Sequence, residues 1–315
     1  MGSAFKNLGA ALKGLEKAAA RQEKEQQKAD AAKTVARYNQ LMIDLVSLHK
    51  EAPKPFDWKN IVNEPAPTEP VPQHRHEQKA LHRERNYKPS ALDKIFKLTA
   101  KRTARLAREV VEAKKRDSIE FEKLKREYDK KHASWQTLHT MASGVLQYEA
   151  VAYRDAIAHF SPFEGIKGLG TKIEFTFEEE EYVMADLQVS GKDIIPDKIY
   201  SLTSTGKLST KKMPVSQFNE LYQDFICSCA LRVGREILAF LPLRKIVVNA
   251  VSDIVNPATG RREDHVILSV AISAEMIKEI NFQAIDPSDC MENFVHNMRW
   301  SKTAGFSPVE KLSAM

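Results

Sequence analysis

Cysteine is scarce in this chain. Only Cys227, Cys229 and Cys290 occur among 315 residues, and so few, in odd number, exclude a secreted disulfide framework and point to a reducing compartment. No apolar run approaches the ~18–20 residues that cross a bilayer. The opening "MGSAFKNLGAALKGL" lacks the continuous apolar core of a secretory signal. It also lacks a myristoylation site, since Lys6 stands where serine or threonine is required. The expectation is a cytoplasmic protein.

Motifs for chemistry are missing too. There is no G-x-S-x-G, no C-x-x-C and no H-x-x-x-H spacing, so hydrolase and zinc readings have no local signature. "GIKGLG" (165–170) is followed by the strand-like "KIEFTF", where a phosphate loop needs a helix N-terminus; it reads as a hinge. A metal-dependent nuclease needs an acid and then acid-x-Lys. Asp186 and Gln188 come close, but Ser190 stands where the lysine belongs. "HRHEQKALH" (74–82) holds three histidines and reads as a solvated linker edge, with a metal role as the alternative. No cofactor is implied.

Charge is abundant, at 29% of residues, and unevenly placed. Residues 1–90 carry 16 basic and 11 acidic side chains, and residues 91–131 carry 14 and 8. Residues 132–164 have 1 and 3, and residues 165–315 have 17 and 20. All the excess positive charge therefore lies in the first 131 residues, which bears directly on partners.

Apolar residues at Phe5, Leu8, Leu12, Leu15 and Ala19, then at Val35, Tyr38, Met42, Leu45 and Leu48, recur at steps of three and four. That spacing predicts a helix from about residue 4 to about residue 50. Its charged middle cannot bury a stripe alone, so it needs a partner. Six prolines between Pro53 and Pro72 predict an extended connector, anchored by Phe56, Trp58 and Ile61. Helix restarts at "KPSALDKIF", with Ser90 as N-cap and Asp93 closing an S-x-x-D box. About 50 helical residues follow, with a heptad-like seam through Leu106, Val110, Ala113, Phe121, Leu124, Tyr128, Trp135, Leu138 and Val145, interrupted at Asp117.

Beyond residue 163, short runs separated by turn formers predict strands. A long helix follows from about Val215 to Leu241, stopped by Pro242. "LRKIVVNAVSDIV" and "DHVILSVAIS" are expected to pair as a hairpin, and "DPSDCMENFVHNM" as a helical or irregular tail. The fold class expected is α+β: a long N-terminal helical hairpin or bundle, coiled-coil-like, then a compact antiparallel-sheet domain around one central buried helix. The segments are 1–52 (long amphipathic helix), 53–89 (proline-rich connector), 90–162 (long basic helix and a following helix) and 163–315 (α+β domain).

"QDFICSCALRVGRE" (223–236) looks like a cysteine site. On a helix, Cys227 and Cys229 point about 200° apart, and the surrounding apolar residues run nearly all round, so both read as core. A zinc site joining either to Cys290, His265 or His296 has no supporting spacing. The polar residues Glu220, Asp224, Ser228, Arg232 and Arg235 fall on one stripe of that helix. They must be paired or reach solvent; the functional alternative is an anion-binding or docking face.

The basic helix presents Lys101, Arg102, Arg105 and Arg108 within about two turns, then Lys114, Lys115 and Arg116. Interspersed acids and the lack of stacking aromatics argue for a solvated face, with nucleic acid as the alternative. The N-terminal helix has too small an apolar face for a membrane surface. The leading expectation is a non-enzymatic structural or interaction subunit that assembles with a protein partner, or with itself, through residues 4–50 and 91–145. A nucleic-acid-binding accessory subunit comes second. An enzyme using the polar stripe comes third.

Overall fold

The computed structural model describes residues 2–51, 53–162, 172–179, 182–189, 191, 194–255 and 260–313. Side chains are described from residue 21 onward, and at a few positions inside helices and strands only the backbone is. The glycine run 165–170 and the apolar positions of the first twenty residues lie outside what is described.

In chain order the elements are α1 (Gly2–Val46), a 3-10 turn (Leu48–Lys50), α2 (Trp58–Asn63), α3 (Arg75–Arg85), α4 (Ala91–Ile95), α5 (Thr99–Leu146) and α6 (Ala150–Phe160). Strands β1 (Lys172–Glu179), β2 (Tyr182–Gln188), β3 (Lys198–Leu202) and β4 (Leu208–Lys212) precede α7 (Val215–Phe240). After it come β5 (Lys245–Val255), β6 (Arg262–Ser273), α8 (Ala274–Glu279), a 3-10 turn (Asp289–Asn293), β7 (Val295–Ser301) and β8 (Gly305–Ser307). These elements group into two compact units, Met1–Phe56 with Tyr148–Met315, and Asp57–Gln147.

The larger unit is built on a six-stranded sheet in the order β1-β2-β5-β6-β7-β8. Every pairing is antiparallel except β2 with β5. That parallel pair needs a crossover, which the β3–β4 hairpin and α7 supply. Side chains alternate across a strand, and one face collects Val183, Ala185 and Leu187, then Ile246, Val248 and Ala250, then Leu268, Val270 and Ile272, all fully buried. α7 covers this face. Tyr222 Oη lies 3.3 Å from Ser252 Oγ, and a Cβ on Gly234 would come within 2.5 Å of Ile272 Cδ1. Glycine at 234 is thus what lets the helix reach the sheet.

Cys227 and Cys229 are 0% and 1% exposed on α7. Burial pushes both thiols up, so each is protonated and packs as a small hydrophobe. The inward stripe of α1 is Ala31, Val35, Tyr38, Met42 and Leu45. It lies against β3, β4 and α7, with Tyr38 edge-on to Tyr200 at 5.5 Å. Of the segment expected to be a helical or irregular tail, Asp289–Asn293 is a 3-10 turn, whereas from Val295 the chain adds β7, and then β8 beyond that segment. Trp300 and Phe306 turn toward α7, meeting the Asn219 carbonyl and the Tyr222 ring.

In Asp57–Gln147, α2 and α3 pack on α5. The connector is therefore more structured than its prolines suggest. Asp57 caps α2 through the Asn60 amide at 3.0 Å, and Trp135 Nε1 donates to the Glu64 carbonyl at 2.9 Å. The Ser90–Asp93 box forms reciprocally: the Asp93 amide donates to Ser90 Oγ, and the Ser90 amide to Asp93 Oδ2. The helix it opens lasts only five residues. Lys97 takes a left-handed backbone (φ 57°), and α5 starts afresh at Thr99.

Candidate functional site

Glu77, Ala80, Leu81 and Glu84 form the less exposed face of α3, at steps of three, one and three. Ala80 and Ala113 are both buried. Small side chains on each helix let α3 and α5 approach closely, and the larger residues beside them rise as walls. Asp117 fixes the register. Its carboxylate accepts the His76 amide at 3.1 Å and the Glu77 amide at 2.8 Å, capping α3 from a helix forty residues away. Burial would raise this carboxyl, yet the two amide bonds outweigh it and hold it below its ordinary value. With its start at Asp117 and Arg83 beside Arg105, α3 runs antiparallel to α5.

Between the walls lies a groove of about 470 Å³. α3 contributes Lys79 and Arg83, and α5 contributes Arg105, Arg108 and Arg116. Glu109 and Glu112 also line it, and Arg105 Nε pairs with Glu109 at 3.0 Å. The groove thus holds five cations against two carboxylates, and its basic side chains are exposed.

The other sequence-selected cations sort differently. Arg102 binds Asp93, with Nη1 2.8 Å from Oδ1 and 2.9 Å from Oδ2, and Asp93 is 1% exposed. Arg102 therefore serves to neutralise a buried acid. Lys115 lies 3.8 Å from Glu112; Lys101 and Lys114 are exposed and do not line the groove. The sequence reading missed Lys79 and Arg83. Their signal was the helical spacing of Ala80, Leu81 and Glu84, hidden inside a histidine-rich linker.

The polar stripe of α7 has a different job. Ser228 is fully buried and meets His49 twice, accepting its amide at 3.1 Å and lying 2.9 Å from Nδ1. Arg232 pairs with Glu51 and with Glu236. Arg235 donates to the His49 and Glu51 carbonyls and stacks its guanidinium 4.0 Å from the Phe282 ring. Both cations thus bind backbone carbonyls of the turn that follows α1, at Leu48, His49 and Glu51. Glu220 pairs with Lys302. Asp224 is half-buried near Ser288, and burial first, then Asp286, Asp289 and Glu220, push its carboxyl up to about 6. The stripe clasps the turn after α1, and a phosphate would have to displace these partners.

A second polar row crosses the sheet face away from α7. Asp186, Asn249, Ser269 and Asn297 are in register on β2, β5, β6 and β7. Asn249 donates to Asp186 at 2.8 Å, and Ser269 to Asn249 at 2.6 Å. The segment 309–312 lies over the row: Lys311 Nζ reaches Asp186 at 2.6 Å, and the Leu312 amide donates to Ser269. Asp186 gains a lysine here from the far end of the chain, with Asn249 as its other neighbour.

Among the described residues, no helix is long and apolar enough to cross a membrane. Comparison with protein-family models, curated proteins and solved structures finds no match to this chain.

Proposed function

We propose that this chain is an interaction subunit of a cytoplasmic complex, and that Asp57–Gln147 is its working element, a cradle for the phosphate backbone of a nucleic acid. The observation that supports this is the groove, in which Lys79 and Arg83 of α3 face Arg105, Arg108 and Arg116 of α5. Arginine and lysine neutralise phosphates without reading bases, and an exposed cluster pays no burial cost to stay charged. The charge balance agrees. Residues 57–147 carry 20 basic and 13 acidic side chains, a net +7, while the remainder carries 28 and 29, a net −1. Three buried free cysteines fit a reducing cytoplasm.

A protein partner is favoured by a separate observation. Leu92, Ile95 and Phe96 are 64%, 71% and 66% exposed within five residues, an apolar patch of the kind that marks a docking surface. The two readings are compatible within one complex subunit, and variants separate them. In the full chain, reversing Lys79, Arg83, Arg105 and Arg108 to glutamate should abolish binding to duplex DNA, single-stranded DNA and RNA at low salt, with circular dichroism unchanged. Leu92→Asp with Phe96→Asp should leave that binding intact and reduce self-association measured by analytical ultracentrifugation. Nucleic-acid binding that survives the charge reversal would refute the cradle.

A further inference from the structure

Where α3 begins, three side chains from two helices converge at one end of the groove. His76 Nε2 stands 3.6 Å from Glu120 Oε2, beyond hydrogen-bond length. These atoms and an Asp117 oxygen lie within 4.8 Å of one another. Asp117 and Glu120 are three apart on α5 and share a face. Asp117 is 5% exposed. Its oxygens take the His76 and Glu77 amides, and each carboxylate oxygen keeps a further lone pair.

We propose that His76, Asp117 and Glu120 form a site for one divalent transition-metal ion of the zinc class. A tetrahedral ion with bonds of about 2.0–2.2 Å holds its ligands roughly 3.3–3.6 Å apart, and the His76–Glu120 pair already stands at that separation. One imidazole and two carboxylates suit Zn²⁺ or Co²⁺, whereas Ca²⁺ and Mg²⁺ take oxygen donors. Three protein ligands leave a fourth position for water. His74, Glu77 and Asp117 make a neighbouring group, but His74 Nδ1 and Glu77 Oε2 are 3.0 Å apart and engage each other in a hydrogen bond. The ion belongs to the group whose members do not.

The consequence is mechanical and electrostatic. An ion bridging the first turn of α3 to the middle of α5 pins the two groove walls together. His76 also lines the groove, so the ion adds two positive charges at its end. The site stands independently of what the groove binds.

The test uses the full chain, stripped with chelator and titrated with Co²⁺, followed by visible absorption, and with Zn²⁺ by calorimetry. One ion per chain is expected, with a thermal upshift. His76→Ala and Glu120→Gln should each weaken binding by about ten-fold or more, and the double variant should lose the site. His76 and Glu120 side chains are 47% and 64% exposed, so both substitutions leave the fold intact. His74→Ala should bind as the unaltered chain does. Absence of saturable one-to-one binding, or equal binding by the His76→Ala/Glu120→Gln variant, overturns the proposal. Loss of the ion in His74→Ala alone moves it to the neighbouring group and overturns the assignment.

Discussion

The carboxyl of Asp224 on α7 and the imidazole of His49 after α1 respond to acid in opposite senses, and replacing Asp224 with asparagine separates them. His49 is fully enclosed. Burial first, then Lys50 and Arg235, push its pKa down from 6.5 to about 4, with Asp286 opposing. The unfolded chain takes a proton as the pH falls through 6.5, and the fold accepts it only near 4. The stability His49 contributes is therefore full above about 6.5 and lost between 6.5 and 4. Asp224 moves the other way, from 3.8 to about 6. Its charged form is a penalty above pH 6, relieved as the pH falls toward 3.8. Each difference is worth at most about 3 kcal/mol, and solvent contact lowers the Asp224 share to about 1–2 kcal/mol. Asp224→Asn should then be about 1–2 kcal/mol more stable than the unaltered chain at pH 7. The two should converge near pH 4, the variant falling more steeply with acid. Urea unfolding at pH 7, 6, 5 and 4 measures both curves. Parallel curves, or a variant less stable at pH 7, would refute the reasoning.

Two further predictions follow from the clasp and the sheet. Arg235→Met loses two bonds to backbone carbonyls and the stack on Phe282. It should cost about 2–4 kcal/mol and lower Tm by roughly 4–12 °C; an unchanged Tm means the clasp contributes nothing. Gly234→Ala gains about 1 kcal/mol of helix propensity but drives a methyl into Ile272, costing about 1–3 kcal/mol. It should be net destabilising, and Ile272→Val, which removes the atom in conflict, should recover much of the loss in chemical denaturation.

Local signals carried well where the chain obeys local rules. The 3.6 periodicity of α7 and its stop at Pro242, the Ser90–Asp93 box and the β5–β6 hairpin are written in short windows, and all are present. What was not legible depended on distant residues. α3 begins at Arg75 because Asp117 caps it, and no local capping residue announces that helix. The same carboxylate explains the interruption of the apolar seam of α5. A one-dimensional reading sees a fault there, and the fold uses it to seat α3. Likewise the stripe of α7 shows charges that need partners, without showing that Leu48, His49 and Glu51 supply them. The strands β7 and β8 were hidden because polar residues such as Asn297 and Arg299 interrupt the apolar pattern.

The cradle is tested most directly by the salt dependence of binding between the full chain and a DNA duplex. If all five groove cations engage phosphates, the slope of log K against log salt should be roughly −4.5, at about −0.9 per contact. Lys79→Gln, Arg83→Gln and Arg105→Gln together should reduce its magnitude by roughly 3. No binding at low salt, or a slope that those substitutions leave unchanged, would contradict the account.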